Sequence, residues 1–192
     1  MATTAPVTGT QTTEWEIDSA HTGAHFSVKH LMVSTVRGQF RKVTGRVWLD
    51  EGQLTRSRIE VEIDATSLET GEPKRDAHLR SADFFDVEKY PKLNFRSTRI
   101  EGRGEEFVVT GELTMHGVSR QVTLMVESLS PPMKDPYGRL VRGVSAVGKL
   151  NRKDWGLGWN AALETGGVLV GDEVKLQIDA ELVAKAAAPG PR

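Results

Sequence analysis

The stretch FVVTGELTMHGVSRQVTLMV, residues 107–126, contains two runs of alternating apolar and polar side chains around the pair His116-Gly117. Successive side chains of a β-strand point to opposite faces of a sheet, so a period of two indicates a strand with one buried and one solvated face. A short connection that contains glycine joins two such strands as a hairpin. The stretch therefore predicts two long antiparallel strands.

The same alternation recurs along most of the chain, in the segments 26–28, 43–49, 59–63 and 174–182. Turn signals separate the runs at Gly102-Arg103-Gly104, at Asp135-Pro136-Tyr137-Gly138 and at Gly171-Asp172. Together the runs predict an all-β domain of about eight antiparallel strands. A closed barrel is favoured because closure removes the exposed edges of long strands, and a two-layer sandwich is the alternative.

One segment, from Ala65 to Pro91, interrupts the strand pattern and is charged and helical in character. Pro73 is suited to the first turn of a helix, and Pro91 forces the preceding residue into an extended conformation. We predict a short helical crossover near residues 72–90. Its adjacent Phe84 and Phe85 suit it to lie across an open end of the barrel; the alternative is a surface connection that only closes the core.

Composition excludes several classes of function. The chain has 192 residues with 25 Lys and Arg against 26 Asp and Glu, a balance that gives no electrostatic reason to expect a nucleic-acid partner. It contains no cysteine, which excludes disulfides, thiolate nucleophiles and Cys-ligated zinc.

The two ends of the chain lack the features of folded segments. Residues 1–13 have neither the charge nor the apolar run of a signal peptide, and residues 185–192 are rich in Ala, Pro and Gly. We therefore expect one domain over 14–184 between two disordered tails. With no apolar run long enough to cross a bilayer, we expect a cytoplasmic protein with no transmembrane segment.

The patterns that could support catalysis are weak. His21, His25 and His30 lie close in sequence but match no metal-ligand spacing, and Asp18-Ser19-Ala20-His21 cannot converge as a catalytic triad on one extended segment. The GxGxxA match at residues 156–161 lacks the strand and helix that a dinucleotide site needs. Arg152 and Asp154 are expected to pair across a turn. No catalytic residue and no metal site are predicted.

An interior cavity and a solid core are both compatible with the pattern. Aromatic residues are spread over several segments, and an eight-stranded barrel is just wide enough to be filled by side chains or to hold one ligand. The small residues Gly45, Gly111, Gly143, Ser145 and Ala180 lie in the alternating segments, and at inward positions they would leave room for a ligand.

Several ordered motifs resemble the YceI-like family of lipocalin-like, polyisoprenoid-binding proteins. They are Trp15-Glu16-Ile17-Asp18-Ser19-Ala20-His21-Thr22, Phe26-Ser27-Val28-Lys29-His30-Leu31, Gly38-Gln39-Phe40, the segment from Arg75 to Asp86, Tyr90-Pro91, the segment from Gly111 to Val118, and the segment from Asn151 to Gly156. The resemblance implies an extended eight-stranded antiparallel barrel with a hydrophobic tunnel. It also implies a long-chain isoprenoid lipid, such as a polyprenyl quinone, as the ligand, no catalytic residue set and no cofactor, and it points to a homodimer.

The resemblance and the side-chain chemistry together select candidate ligand-binding residues. At the mouth of the barrel we expect Arg75, Asp76, His78 and Arg80, with Arg152 and Asp154 as second choices. Along the tunnel we expect Phe26, Val28, Phe40, Leu79, Phe84, Phe85, Phe95, Leu113 and Trp155. The predicted function is binding, storage or transport of the lipid. The alternatives are a scavenger of hydrophobic small molecules and a metal enzyme built on the three N-terminal histidines.

Overall fold

The computed structural model describes residues 12–103, 106–163 and 166–185. The strands are β1 (Thr12–Ile17), β2 (Gly23–His30), β3 (Ser34–Phe40), β4 (Val43–Asp50), β5 (Arg58–Asp64), β6 (Leu68–Glu69), β7 (Lys92–Arg103), β8 (Glu106–Met115), β9 (Val118–Leu129), β10 (Met133–Lys134), β11 (Leu140–Asn151) and β12 (Val170–Ala184). Helix α1 spans Pro73–Arg80. Within the described ranges, no helix is both long and apolar enough to cross a bilayer.

Eight of these strands form a closed antiparallel barrel in the order β1, β4, β5, β7, β8, β9, β11 and β12. Strand β12 closes the ring because it pairs with β11 along one edge, from Val141–Val183 to Asn151–Glu173, and with β1 along the other. We call this double pairing of β12 the seam of the barrel. A two-layer sandwich would lack it. The predicted barrel is confirmed.

The wall of the barrel is widened at one end by the β2–β3 hairpin. The capped turn Ser19–His21 separates β1 from β2, so that β12 pairs first with β1 and then, from Asp179 to Val174, with β2. The outer edge of β3 pairs with β6 only at Gln39 and Phe40. The remaining outer edge of β3, from Ser34 to Gly38, has no strand partner within the described residues.

The crossover between β6 and β7 lies at this same end. Glu72 caps α1 by accepting hydrogen bonds from the backbone N–H groups of Lys74 and Arg75, and Pro73 occupies the first turn, where its missing N–H costs nothing. The helix ends at Arg80, and turns continue from there to Tyr90. The helical crossover is confirmed, although the helix fills only its first part.

Several predicted boundaries are wrong in detail. Gly171 and Asp172 lie within β12, beside a register shift. Of the predicted turn at Gly102-Arg103-Gly104, Gly102 and Arg103 lie within β7, and Gly104 lies outside the described residues. Thr12 and Thr13 pair with Asp50 and Leu49 and belong to the barrel. The backbone N–H of Lys185 donates to the Glu14 carbonyl at 2.9 Å. The rest of the two predicted tails, 1–11 and 186–192, lies outside the described residues.

Buried apolar side chains form two separate clusters inside the barrel. The larger cluster contains Phe40, Leu68, Leu113 and Trp155 and lies at the crossover end, where Leu79, Phe85 and Val87 pack against it. The smaller cluster contains Trp15, Val47, Leu49 and Leu182 and lies towards the other end. The two ends of the barrel are therefore packed by different residues.

The corner that leads from β5 into the crossover depends on Asp64. Its carboxylate accepts hydrogen bonds from the Thr66 N–H at 2.9 Å and the Thr66 hydroxyl at 2.6 Å, and Lys42 Nζ lies at 3.4 Å. The Thr66 hydroxyl bond, ahead of the Thr66 N–H and Lys42, holds the pKa of the Asp64 carboxyl below its ordinary value of 3.8, although burial opposes this shift. The charged form is thus the one that the folded corner stabilises.

We expect Asp64→Ala to lower the free energy of unfolding by about 1 kcal/mol at pH 7, as for other lost caps. A carboxyl with a lowered folded pKa stabilises the fold above its unfolded pKa, and this contribution disappears as the pH falls through the folded value. Urea unfolding between pH 2 and pH 7 should therefore show the two proteins converging in acid. Asp64→Ser, which keeps a capping side chain without a charge, is the control. In this variant, residue 64 should contribute nothing to the pH dependence of the unfolding free energy. A constant difference between wild type and Asp64→Ala down to the lowest pH would contradict the assignment.

Candidate functional site

The interior of the barrel is incompletely filled. Along β12, Leu176 and Ile178 alternate with the charged and polar outward residues and pack against the larger cluster, yet they are only partly buried. Further along the same strand, Leu182 is 2% exposed. A close-packed interior would bury all inward side chains in this way. The difference indicates open space inside the barrel beside these two residues.

The same partial burial recurs around the barrel wall. Inward-facing apolar residues of six further strands pack against the larger cluster and remain partly exposed: Phe26 on β2, Val61 and Ile63 on β5, Phe95 on β7, Leu124 on β9 and Leu150 on β11, with Ile17 on β1. Val28 shares the inward face of β2 with Phe26 and is also partly buried. These side chains present an apolar inner surface from several directions. The surface suits a long, slender, oily ligand.

A large cavity on this wall has a volume of about 1240 Å³. Inside the barrel it is bordered by Phe26, Val122, Leu150, Trp155 and Leu176. It also borders outward-facing residues of the same wall, among them Lys149, Lys175 and Gln177, so part of this volume is a groove on the outer face. A second cavity of about 440 Å³ lies beside Val61 and Phe95.

The small residues do not create the open space in the way that the sequence predicts. A side chain at Gly111 would collide with the Phe95 ring, which lies directly over the glycine, and a side chain at Gly45 would collide with the Glu60 carbonyl of the neighbouring strand. These glycines therefore allow close approach of their neighbours. Gly143 is exposed, and Ser145 bonds to Ser128 with its hydroxyl, so neither leaves room in the interior.

The predicted tunnel residues divide into two groups. Phe26, Val28, Leu79, Phe85 and Phe95 are partly buried and lie on or beside the inner surface. Phe40, Phe84, Leu113 and Trp155 are buried and belong to the packing at the crossover end. Trp155 Nε1 donates to the Leu113 carbonyl at 2.9 Å, which fixes the indole as part of this packing.

Three of the polar crossover residues bond to the segment that precedes the helix. Arg75 Nε donates to the Thr70 hydroxyl at 2.7 Å, and the buried Asp76 carboxylate accepts from the Thr70 N–H at 2.9 Å. Arg80 donates to the carbonyls of Thr66 and Leu68. These bonds hold α1 against the end of the barrel. They give all three residues a structural role that does not depend on a ligand.

His78 is the crossover residue whose position best suits contact with a ligand. Its Nε2 lies 2.9 Å from Asp83, and its ring stands edge-on to Phe84 and Trp159 with centroids 5.1 and 4.6 Å away. The side chain keeps 39% of its surface exposed. A polar ring held between aromatic residues at the end of the barrel can bond to a head group while an apolar chain lies inside.

Arg152 does not pair with Asp154, contrary to the sequence prediction. Arg152 is 4% exposed, and its guanidinium contacts Asp172 at 3.4 Å and donates to the carbonyls of Leu157, Trp159, Val170 and Gly171. Burial lowers the pKa of Arg152, while Asp172 opposes this shift. Arg152 therefore organises the loop between β11 and β12, whereas the exposed Asp154 borders the large cavity.

The three N-terminal histidines are not brought together. His25 and His30 lie at odd and even positions of β2 and so point to opposite faces, while His21 lies in the preceding turn. His21 does approach two carboxylates, with Nδ1 3.3 Å from Asp18 and 3.8 Å from Glu181. The Arg139 guanidinium lies 3.7 Å from Asp18 and already supplies positive charge there. The geometry offers no support for a metal enzyme built on these histidines.

Sequence reasoning missed Leu124, Leu150 and Leu176 as lining residues. Leu124 and Leu176 occupy apolar positions in alternating segments that the sequence predicts as strands, and Leu150 continues the inward alternation of β11. The signal was therefore the alternation itself, because every inward position of a hollow barrel can line its interior.

Known proteins resemble this chain both in sequence and in fold. Residues 15–182 match the sequence model of the YceI-like domain. A UPF0312 protein of Staphylococcus aureus is 35% identical over 169 residues, which cover 88% of this chain and 96% of the relative. The structure of BcnA from Burkholderia cenocepacia superposes with a TM-score of 0.74 at 23% identity, covering 86% of this chain and 98% of that one. A polyisoprenoid binding domain from Saccharophagus degradans, implicated in plant cell wall breakdown, superposes with a TM-score of 0.62 at 16% identity, covering 89% and 98%. Both structures share the barrel fold with this chain.

Proposed function

This chain belongs to the YceI-like domain family, and we propose that it binds the chain of an isoprenoid lipid inside its barrel and performs no catalysis. The observation that carries the proposal is the partly buried apolar inner surface formed by Phe26, Leu124, Leu150 and Leu176. The polyisoprenoid-binding domain with the same fold supports the choice of ligand class.

Burial of apolar carbon drives this binding. Each buried CH₂ contributes roughly 0.8 kcal/mol, so a five-carbon isoprene unit contributes about 4 kcal/mol before the costs of ordering and association. Such binding is strong but discriminates little between chains of similar width. Selection among lipids therefore depends on polar groups near the ends of the barrel, and His78 and Asp154 are the candidates that the geometry favours.

The proposed ligand is a polyprenyl quinone or a related isoprenoid, held for storage or transport. Several polar residues at the crossover end have structural partners: Arg152 bonds to loop carbonyls, Asp76 to Thr70, and His116 Nδ1 lies 3.1 Å from the Trp155 carbonyl. These bonds support a binding protein. Cell fractionation would test the expected cytoplasmic location.

Organic extraction of the purified protein followed by mass spectrometry tests the proposal. We expect an isoprenoid lipid in the extract, or saturable uptake of a quinone analogue by the delipidated protein. A chemically diverse mixture of apolar compounds would favour a scavenger instead. If the extract contains no lipid and no analogue is taken up, the proposed function is wrong.

A further inference from the structure

The tip of the β2–β3 hairpin exposes three consecutive apolar side chains. Leu31 is 40% exposed, Met32 66% and Val33 85%, and Val168, whose neighbour Leu169 accepts a hydrogen bond from the Leu31 N–H at 2.8 Å, is 39% exposed. We call these four residues the apolar tip. Because β12 begins at Val170, opposite His30, the apolar tip lies at the crossover end of the barrel.

The backbone of the tip has a conformation that its sequence does not favour. The Val33 N–H donates to the His30 carbonyl at 3.1 Å, and the two central residues of this turn, Leu31 and Met32, have φ of 53° and 56°. Positive φ at both central positions is the pattern of a type I′ turn, for which Asn-Gly is the preferred pair. Here apolar side chains stand at the two positions where folding alone favours polar or small residues, which points to a role outside the fold.

A row of unpaired cations lies behind the tip on the outer face of the barrel. Lys175, Ser27 and Arg37 are register partners across three strands, and Lys29 lies two residues from Ser27 on the same face of β2. In the part of the chain that the structure describes, none of these three cations is in an ion pair, whereas Arg41, Lys42 and Arg46 pair with Glu69, Asp64 and Glu14. The segment from Ser19 to Leu49 contains five Lys and Arg and no Asp or Glu.

We propose that the apolar tip inserts into the surface of an anionic lipid bilayer while Lys29, Arg37 and Lys175 contact its head groups. At about 3.4 Å per strand residue, Lys29 lies roughly 7 Å behind Leu31, close to the depth of a head-group layer. Arg37 and Lys175 are level with Ser27, roughly 14 Å behind Leu31, so their long side chains would meet the outer edge of that layer. Apolar side chains below the interface and cations at head-group level are the chemistry by which proteins bind anionic membrane surfaces. The unpaired edge of β3 and the crossover end of the barrel would then face the membrane.

Charge favours a bilayer over a second copy of this chain as the occupant. A two-fold contact through the tip would place the same cationic row near itself, because such interfaces bring one surface patch against its own copy. An anionic surface instead supplies the opposite charge. The inference concerns docking and is independent of what the barrel contains.

Co-sedimentation of the full chain with vesicles tests the proposal. We expect wild type to bind vesicles of phosphatidylglycerol and phosphatidylcholine, to bind pure phosphatidylcholine far more weakly, and to lose binding as salt rises. Leu31→Asn combined with Met32→Gly should weaken binding by tenfold or more, since each inserted side chain contributes on the order of tenfold. The same variant should keep or raise the thermal midpoint, because Asn-Gly suits the turn. Lys29→Gln with Arg37→Gln should remove the preference for anionic vesicles.

Met133→Ser with Tyr137→Ser is the matched control, because it removes exposed apolar surface (63% and 86% exposed) near the opposite end of the barrel and should leave vesicle binding unchanged. Wild type that does not sediment with anionic vesicles, or a tip variant that binds as wild type does, would overturn the proposal. Self-association that the tip variant abolishes, without any vesicle binding, would assign the tip to a second copy and equally overturn it. Lipid uptake by the tip variant from detergent solution should remain normal, which separates this result from a failure of the proposed function.

Discussion

Replacement of Arg152 with methionine is expected to lower the free energy of unfolding by about 3–5 kcal/mol, because it leaves several loop carbonyls without their hydrogen-bond donor. The guanidinium donates to the carbonyls of Gly171 and Trp159, each at 2.9 Å, and to two further loop carbonyls, and methionine can donate to none. A buried carbonyl that loses its partner costs about 1–3 kcal/mol. Because domains are stable by only about 5–15 kcal/mol, the variant should be close to unfolding at 37 °C.

Urea unfolding monitored by tryptophan fluorescence measures this effect. Lys153→Met is the control, because Lys153 is the next residue and contacts the same Asp172 at 2.9 Å but is half exposed. Exposed ion pairs contribute about 0–1 kcal/mol, so the control should be nearly as stable as wild type. A loss of less than about 1 kcal/mol in Arg152→Met would show that the loop does not depend on the guanidinium.

Leu176→Trp is expected to weaken binding of a quinone analogue by more than tenfold while the fold persists. Leu176 points into the barrel beside Phe26, its register partner, and borders the large cavity. A larger side chain there would occupy space that the proposed ligand needs. The added ring would gain burial instead of forcing neighbours apart, so we expect little loss of stability.

Titration of the delipidated protein with the analogue measures the binding, and the thermal midpoint reports on the fold. Gln177→Trp introduces the same side chain at the next position of β12, which points outward, and should bind as wild type does. If Leu176→Trp binds normally, the interior beside Leu176 is not the ligand site. A large drop in its thermal midpoint, with Gln177→Trp unchanged, would mean that the interior is already packed solid, since overpacking costs typically 1–3 kcal/mol.

Alternation predicted the barrel well because its physical cause is local. Residues 107–126 form β8 and β9 around the predicted His116-Gly117 turn, in which both residues have positive φ. Pro73 likewise marks the start of α1. What alternation cannot show is which strands are neighbours, and closure depends on pairing of β12 with both β11 and β1, which are far apart in the chain.

The roles of the polar residues were harder to predict because their partners are distant or belong to the backbone. The sequence argument makes Arg152 a second-choice mouth residue that pairs with Asp154, but its partners are carbonyls of a loop whose path the sequence does not show. Asp76 bonds to Thr70, which no motif marks. The turn at Leu31 and Met32 lacks the glycine or asparagine that normally signals positive φ.

The seam at β12 also has a kinetic consequence. Trp15 pairs with Ala184, so nearly the whole described chain lies between two strands that must meet before the cylinder exists. Contacts between residues remote in sequence form late, because the entropy of the intervening loop is lost before they are made. During biosynthesis, the edges of β1 and β11 that pair with β12 therefore stay unpaired until β12 leaves the ribosome. We expect the nascent chain to depend most on chaperones during that interval.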